Sequence, residues 1–345
     1  MIHGHGNDRY NYNKKIIADF SSNVWYKGPA EKLITHLKTH LSHIAHYPEP
    51  GAEKLQAKTA GFYNLHPEQC LITNGSVEAF YLIALANRTK QSVVLTPCFS
   101  EYEDACHIHG HKLKFISNKE GWQNKIKGNE LVWLGNPNNP DGKVWAAEKL
   151  EKIIASHADK LFVVDEAYGD LCHSFQSVVP LIKKFQNLIV VHSFTKNFAI
   201  PGLRLGFILG SKKTIKPLNH LRMPWTVNSI AQEAGNYIID HYDTLIPKKE
   251  EIKEASKLFL EELDDVKEYL KVFPTDCNYF LVQLKGKYSE ELKSKLMNEY
   301  GLLIRDASNF RGLDKSYIRL AVQKPQHNKL LIKAMKTSLK NLYYG

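Results

Sequence analysis

Long apolar runs are what this sequence most plainly lacks. No stretch of its 345 residues approaches the roughly 18–20 consecutive apolar residues of a membrane-spanning helix. The opening MIHGHGNDRYNYNKK also lacks the apolar centre of a secretory leader, so a cytoplasmic protein with no membrane partner is the expectation. Cysteine is scarce too. The five, Cys70, Cys98, Cys106, Cys172 and Cys277, are odd in number, widely spaced and without a CxxC pair, which argues against a disulfide framework or a zinc ribbon. The net charge is +10, yet there is no basic tail and no aromatic-rich basic motif. Lysines instead alternate with acids, as in PKKEEIKEASKLFLEELDDVKEYLK, the pattern of a solvated helix face. Nucleic acid is therefore not an expected partner, and part of the positive charge is free to serve phosphorylated small molecules.

What is present is a chain long enough for about two domains. From residue 70 onward, about seven short β-rich runs alternate with helical segments: CLITNG, SVVLTPC, KLKFISN, ELVWLGNP, LFVVDEAY, LIVVHSF and RLGFILG. That alternation predicts an α/β fold with a mostly parallel sheet covered by helices on both faces. Polar residues recur at the carboxyl ends of the runs, the edge where open α/β sheets bind ligands. After DTLIPKKEE the pattern changes to a long charged helix, then NYFLVQL, a helix over 289–300, GLLIRDAS, YIRLAV and a closing helix. We expect an N-terminal arm at 1–30, a large domain at 31–244 and a small α+β domain at 245–345.

Three of these run ends carry chemistry. In ITNGSVEAF a strand ends in Gly75 and Ser76 and a helix opens, aiming free N–H groups and a positive dipole end at one point where a phosphate fits; a simple N-cap is the plainer alternative. In VVDEAYGD, Asp165 and Tyr168 follow a continuous apolar run, and a carboxylate at that depth needs a partner such as a cationic ring nitrogen. It would otherwise only cap the next helix. In VHSFTKNFAIPGLRLGFI the hydroxyls of Ser193 and Thr195 precede Lys196, and Arg204 follows. Two hydroxyls, a guanidinium and a helix N-terminus would hold the phosphate of an aldehyde cofactor where Lys196 could form a Schiff base. CHIHGHK places His107, His109 and His111 on alternate positions, but no carboxylate or cysteine lies at ligand spacing. They are expected on a solvated turn, and no metal site is assigned.

The ordered set NGSVEAF, GNPNNPDG, VVDEAY, SFTK and GLRLGF resembles the fold type I pyridoxal-phosphate aminotransferases, in particular the histidinol-phosphate aminotransferase branch. The resemblance spans nearly the whole chain. It implies an aspartate-aminotransferase-like fold with a mixed seven-stranded sheet, and pyridoxal 5'-phosphate as cofactor. It makes Lys196 the Schiff-base lysine and Asp165 the partner of the pyridine nitrogen. Asn139 and Tyr168 would face the ring hydroxyl, and Tyr102 in PCFSEYE would stack on the ring. Gly75, Ser76, Val77, Ser193 and Arg204 would hold the phosphate. Tyr47 in HYPEPGAEKL would reach the phosphate of a neighbouring subunit, which implies a homodimer with shared active sites.

HGHGND, ADFSSN, IPGLRLG, RMPWTVNSIAQ and IRDASNFRGL are similar to the corresponding segments of the threonine-phosphate decarboxylases of cobalamin biosynthesis. This likeness implies a phosphorylated amino acid or amino alcohol as substrate. His5, Gly6, Asn23 and Arg305 would contact its phosphate, with His3 the alternative to His5, while Arg319 and Asn139 orient the amino-acid end. Histidinol-phosphate transamination with 2-oxoglutarate stays open beside it, because Tyr168 is typical of the aminotransferases.

Overall fold

The computed structural model describes residues 6–128, 130–286 and 288–344. All seven predicted runs become strands of one sheet: β2 (Cys70–Thr73), β3 (Gln91–Thr96), β4 (Lys112–Ser117), β5 (Leu131–Gly135), β6 (Leu161–Asp165), β7 (Leu188–Ser193) and β8 (Gly206–Gly210), after a short β1 (Ala18–Asp19). Their order is β2-β8-β7-β6-β5-β3-β4. Neighbours pair in parallel except along β8, which is antiparallel to both β7 and β2. The fold is thus α/β with a mixed, mostly parallel sheet, as the patterning predicts.

The inner strands are apolar without alternation because both faces are buried. Phe162 and Val164 of β6 pack into the core on one face and Val163 into the core on the other. The strands therefore stop where the chain can no longer stay apolar, at Asp165 on β6 and Ser193 on β7. That leaves their polar ends together at one edge.

A second core forms around β9 (Leu270–Val272), β10 (Tyr279–Leu284), β12 (Arg305–Asp306) and β13 (Tyr317–Ala321), an antiparallel sheet of order β12-β13-β10-β9. Phe259, Leu292, Leu296, Leu331 and Met335 from three helices close over it. This is the small α+β part of the fold. The N-terminal segment joins it: β1 pairs in parallel with β11 (Leu302–Leu303), Ala18 opposite Leu302 and Asp19 opposite Leu303.

The histidines of CHIHGHK depart in part from the solvated turn expected for them. His107 is exposed in the last turn of the helix Glu101–Ile108, but His111 is buried. Its Nδ1 bonds the Ser92 hydroxyl at 2.8 Å and its Nε2 the Ala84 carbonyl at 2.8 Å. With both nitrogens engaged, the side chain satisfies itself in the core instead of seeking water.

Candidate active site

A cavity of about 210 Å³ opens at the carboxyl edge of the large sheet, where β3, β5, β6 and β7 end, and is closed on the other side by the small sheet and the N-terminal segment. Its lining includes Ser76, Val77, Tyr102, Asn139, Asp165 and Tyr168. Ser193, Lys196, Arg204, Arg305, Arg319 and Gly6 complete the set of predicted residues that reach it.

At one part of the wall, the helix Gly75–Ala86 starts directly after β2, and Gly75 takes a φ of +77°. A Cβ there would stand 2.5 Å from Nη2 of Arg204, so only glycine lets that guanidinium lie against the helix N-terminus. Gly206 is equally constrained, since a Cβ would come within 2.8 Å of both the His192 carbonyl and the Ser76 nitrogen. Ser193 Oγ accepts the Thr195 N–H at 3.2 Å, while the buried Thr195 hydroxyl has no partner among the described residues. Helix N–H groups, a guanidinium and an unused hydroxyl together suit an anion.

Asp165 lies at the tip of β6. One carboxylate oxygen accepts the Tyr102 hydroxyl at 2.5 Å and the other the Ala167 N–H at 2.9 Å. Burial pushes its pKa up to about 6, and the Tyr102 bond opposes that rise. The Tyr102 ring stacks on Trp133, 6.1 Å between centroids, and its hydroxyl is the donor that keeps the carboxylate from being bare. Tyr168 is buried against Tyr279, with centroids 5.0 Å apart. Burial likewise raises its phenol above the usual range.

Lys196 keeps part of its surface open to the cavity, and its amine donates to the Ser22 carbonyl at 2.9 Å. Enclosure first, then the charges of Arg319 and Arg204, bring its pKa down to about 8. The ammonium is thus poised to give up its proton near neutrality.

The small sheet supplies two arginines. Arg305 on β12 and Arg319 on β13 are register partners, so the two side chains leave the sheet on the same face, and both line the cavity. Both are buried. Arg319 donates to Asn139 Oδ1 and to the Ser21 carbonyl, and Arg305 donates to Asn309 Oδ1 at 2.7 Å. Burial and then the charge of Arg319 bring Arg305 down to about 10. Among the described residues neither forms an ion pair. Like charges opposite one another in a sheet are destabilising, so this pair makes chemical sense as a receiver of anions.

Tyr47 and Asn23 lie elsewhere. Tyr47 is 86% exposed and packs on Trp225, 5.6 Å between centroids, outside the cavity. Asn23 is fully buried with a φ of +54° and stands outside the cavity lining, its side chain beside Tyr168. His5 lies outside the described residues. Gly6 fits by necessity, since a Cβ there would sit 2.2 Å from the Ser21 carbonyl oxygen and 3.5 Å from Arg319 Nη2.

The sequence reading missed Arg311 and Glu103. They form a two-pronged pair at the cavity mouth, with Arg311 Nε to Oε2 at 3.0 Å and Nη2 to Oε1 at 2.5 Å. The Arg311 guanidinium also lies over the Phe115 ring, 3.9 Å from its centroid. Nothing local in the sequence signals a contact between residues so far apart.

Residues 15–335 match the family of class I and II aminotransferases. The chain belongs to that family. Its members depend on pyridoxal phosphate, and the cavity fits the group: a buried carboxylate, an amine with a lowered proton affinity and an anion cradle with an unused hydroxyl all face one space. A crystal structure of L-threonine-O-3-phosphate decarboxylase from Porphyromonas gingivalis superposes with a TM-score of 0.87 at 36% identity, covering 93% of this chain and 99% of that one. A protein of Caldanaerobacter subterraneus subsp. tengcongensis, provisionally named threonine-phosphate decarboxylase, is 32% identical over 96% of this chain and 93% of its own length. A histidinol-phosphate aminotransferase of the same organism is 31% identical over 86% of this chain and 85% of its own. The chain is therefore a pyridoxal-phosphate enzyme of fold type I, similar both to decarboxylases and to aminotransferases.

Proposed function

We propose that this enzyme decarboxylates L-threonine O-3-phosphate, releasing carbon dioxide and aminopropanol phosphate, the reaction of the cobalamin-type decarboxylases. The observation that carries the reading is the pair Arg305 and Arg319, register partners on one face of the sheet. A substrate with both a carboxylate and a phosphate brings an anion for each guanidinium, and its binding relieves a repulsion the empty sheet must bear. Arg319, aligned by Asn139 and the Ser21 carbonyl, would take the carboxylate. Arg305, with Gly6 and His5, would face the phosphate, and Asn23 would support the wall from outside the lining.

Pyridoxal phosphate supplies an electron sink for the pair left at Cα when the bond to the carboxylate breaks. Gly75, Ser76, Val77, Ser193 and Arg204 would hold its phosphate, with Tyr47 of a second copy. Asp165 would face the ring nitrogen, while Asn139, Tyr168 and Tyr102 would border the ring. As carbon dioxide leaves, a proton must take its place at Cα, and Lys196, whose pKa lies near 8, can carry it. We further propose that residues 31–244 and 245–345 act as two domains around this cavity, with 1–30 as an arm, that the active enzyme is a homodimer and that it works in the cytoplasm.

The test is incubation of the cofactor-loaded enzyme with O-phosphothreonine and no keto acid, following carbon dioxide and product mass over many turnovers. Lys196→Ala is expected to abolish turnover. Arg305→Ala is expected to raise KM for the phosphorylated substrate by tenfold or more, about 1.4 kcal/mol or greater, with a smaller change for unphosphorylated threonine. Equal losses for both substrates would remove Arg305 from the phosphate subsite. A second reading, histidinol-phosphate transamination, is supported by Tyr168 and by the aminotransferase relative. Absence of carbon dioxide together with amino transfer to 2-oxoglutarate would establish it instead.

A further inference from the structure

Away from the cavity, the helix Glu31–Thr39 holds His36, the 3-10 turn Leu41–Ala45 holds His43, and His40 and His46 cap their C-terminal ends. Residues four apart on a helix share a face, and here that face meets Glu233 of the helix Ser229–Asp240. His36 Nε2 stands 2.6 Å from Glu233 Oε1, and His40 Nε2 stands 3.8 Å from the same oxygen. His43 Nδ1 stands 3.9 Å from Oε2. One ligand atom from each of His36, His40 and Glu233 falls within 4.8 Å of the others.

We propose that His36, His40 and Glu233 form a site for a divalent transition metal of the zinc, cobalt or nickel type, with His43 beside the other carboxylate oxygen and water completing the coordination. Two imidazoles and a carboxylate are the donors such ions take, with bonds of about 2.0–2.2 Å. Ligand atoms around a tetrahedral ion of that size lie about 3.4 Å apart. The His40 separation from Glu233 exceeds that by a few tenths of an ångström, and the His36 separation has to open by less than 1 Å.

Two further features prepare the rings. His40 Nδ1–H donates to the His36 carbonyl at 2.8 Å, which directs the lone pair of neutral His40 to Nε2, the atom facing Glu233. A backbone acceptor behind a liganding imidazole fixes the tautomer in this way in metal sites generally. The His36 ring is clamped by Tyr237, with centroids 4.1 Å apart at an angle of 24°. All three side chains are only partly buried, so an ion can enter from solvent. On binding, the ion takes the place of the hydrogen bond between His36 Nε2 and Glu233 Oε1, and the neutral imidazole that ligates it carries its hydrogen on Nδ1.

The consequence is mechanical. The ion would tie the segment leading to Tyr47 onto the helix Ser229–Asp240, next to the residues that border Tyr47.

The test is titration of the tag-free holoenzyme with Co²⁺, read from its visible d–d bands to the red of the cofactor absorption, and with Zn²⁺ as competitor and in thermal melting. We expect one Co²⁺ per chain with bands of a four-coordinate site, displaced by Zn²⁺, and a rise in Tm with Zn²⁺. His40→Ala and Glu233→Gln should each weaken Co²⁺ binding by about tenfold or more and abolish the Zn²⁺-dependent rise in Tm, while His109→Ala changes neither. Because the two variants alter different helices, a folding defect in one leaves the other decisive. Absence of d–d bands at one equivalent, or unchanged affinity in both variants, would overturn the site.

Discussion

Asp165 is a carboxylate held where the acid form is favoured, and the consequence can be measured without substrate. Its pKa in the fold, about 6, lies above the usual aspartate value of 3.8. The folded chain therefore prefers the proton, so stability falls as pH rises from about 4 to 6, the loss is complete above about 6, and it is absent below about pH 4, where folded and unfolded states are both protonated. Asp165→Asn should stabilise the cofactor-free protein by up to about 3 kcal/mol at neutral pH, with the gain shrinking as pH falls through 6 toward 4. Urea denaturation at several pH values reads this directly, and a variant less stable at every pH would contradict it. The same substitution should stop turnover. Asp165 and Lys196 were legible in the sequence because each ends a short apolar run, where a charge stands out. Tyr102 as the donor to Asp165 was not, nor was the Arg311–Glu103 pair, because those partners are 63 and 208 residues apart. Periodicity reports what a residue's own element buries, not which remote side chain completes its hydrogen bonds.

Among the elements, the strand-to-helix turn at Gly75 has little freedom. Gly75→Ala would put a methyl group 2.5 Å from the Arg204 guanidinium and force an L side chain into a φ of +77°. We expect a loss of about 1–3 kcal/mol in stability and at least a tenfold weaker hold on pyridoxal phosphate, measured as cofactor lost on dialysis. Normal retention would show that Arg204 does not serve the phosphate. The inner strands of the large sheet were readable because strands buried on both faces must be continuously apolar, and the edge strand β4 by its alternation of lysine with apolar residues. The run GLLIRDAS, which holds the two-residue strands β11 and β12, was readable as one extended stretch, but β1 and the pairing of these short strands were not, because so short a ladder has no period and exists only where its partner is. The opposition of Arg305 and Arg319 followed from that unseen pairing. Both arginines could be picked from the sequence, but not the fact that they are register partners.

For the molecule as a whole, Leu41, Ile44 and Tyr47 from one segment and Met223 and Trp225 from another are exposed, and the two segments meet through the Tyr47 and Trp225 rings. An apolar surface of this kind marks a partner, and under the proposed homodimer it is the face covered by a second copy. Ile44→Asp should shift the protein from dimer to monomer in sedimentation velocity at micromolar concentration and reduce cofactor occupancy; a dimer unchanged by it would place the interface elsewhere. Within one chain, the segment from Ser21 to Trp25 joins both halves of the cavity. The Ser22 carbonyl accepts from Lys196, the Trp25 N–H donates to the Lys196 carbonyl, and the Ser21 carbonyl accepts from Arg319. These are main-chain groups, so replacing either serine side chain leaves its acceptor in place. A mutational scan would score Ser22 as tolerant and pass over it, while deletion of one residue between β1 and Trp25 would slide the acceptors off both cations at once. At this point the gene records its constraint as length, not as letters.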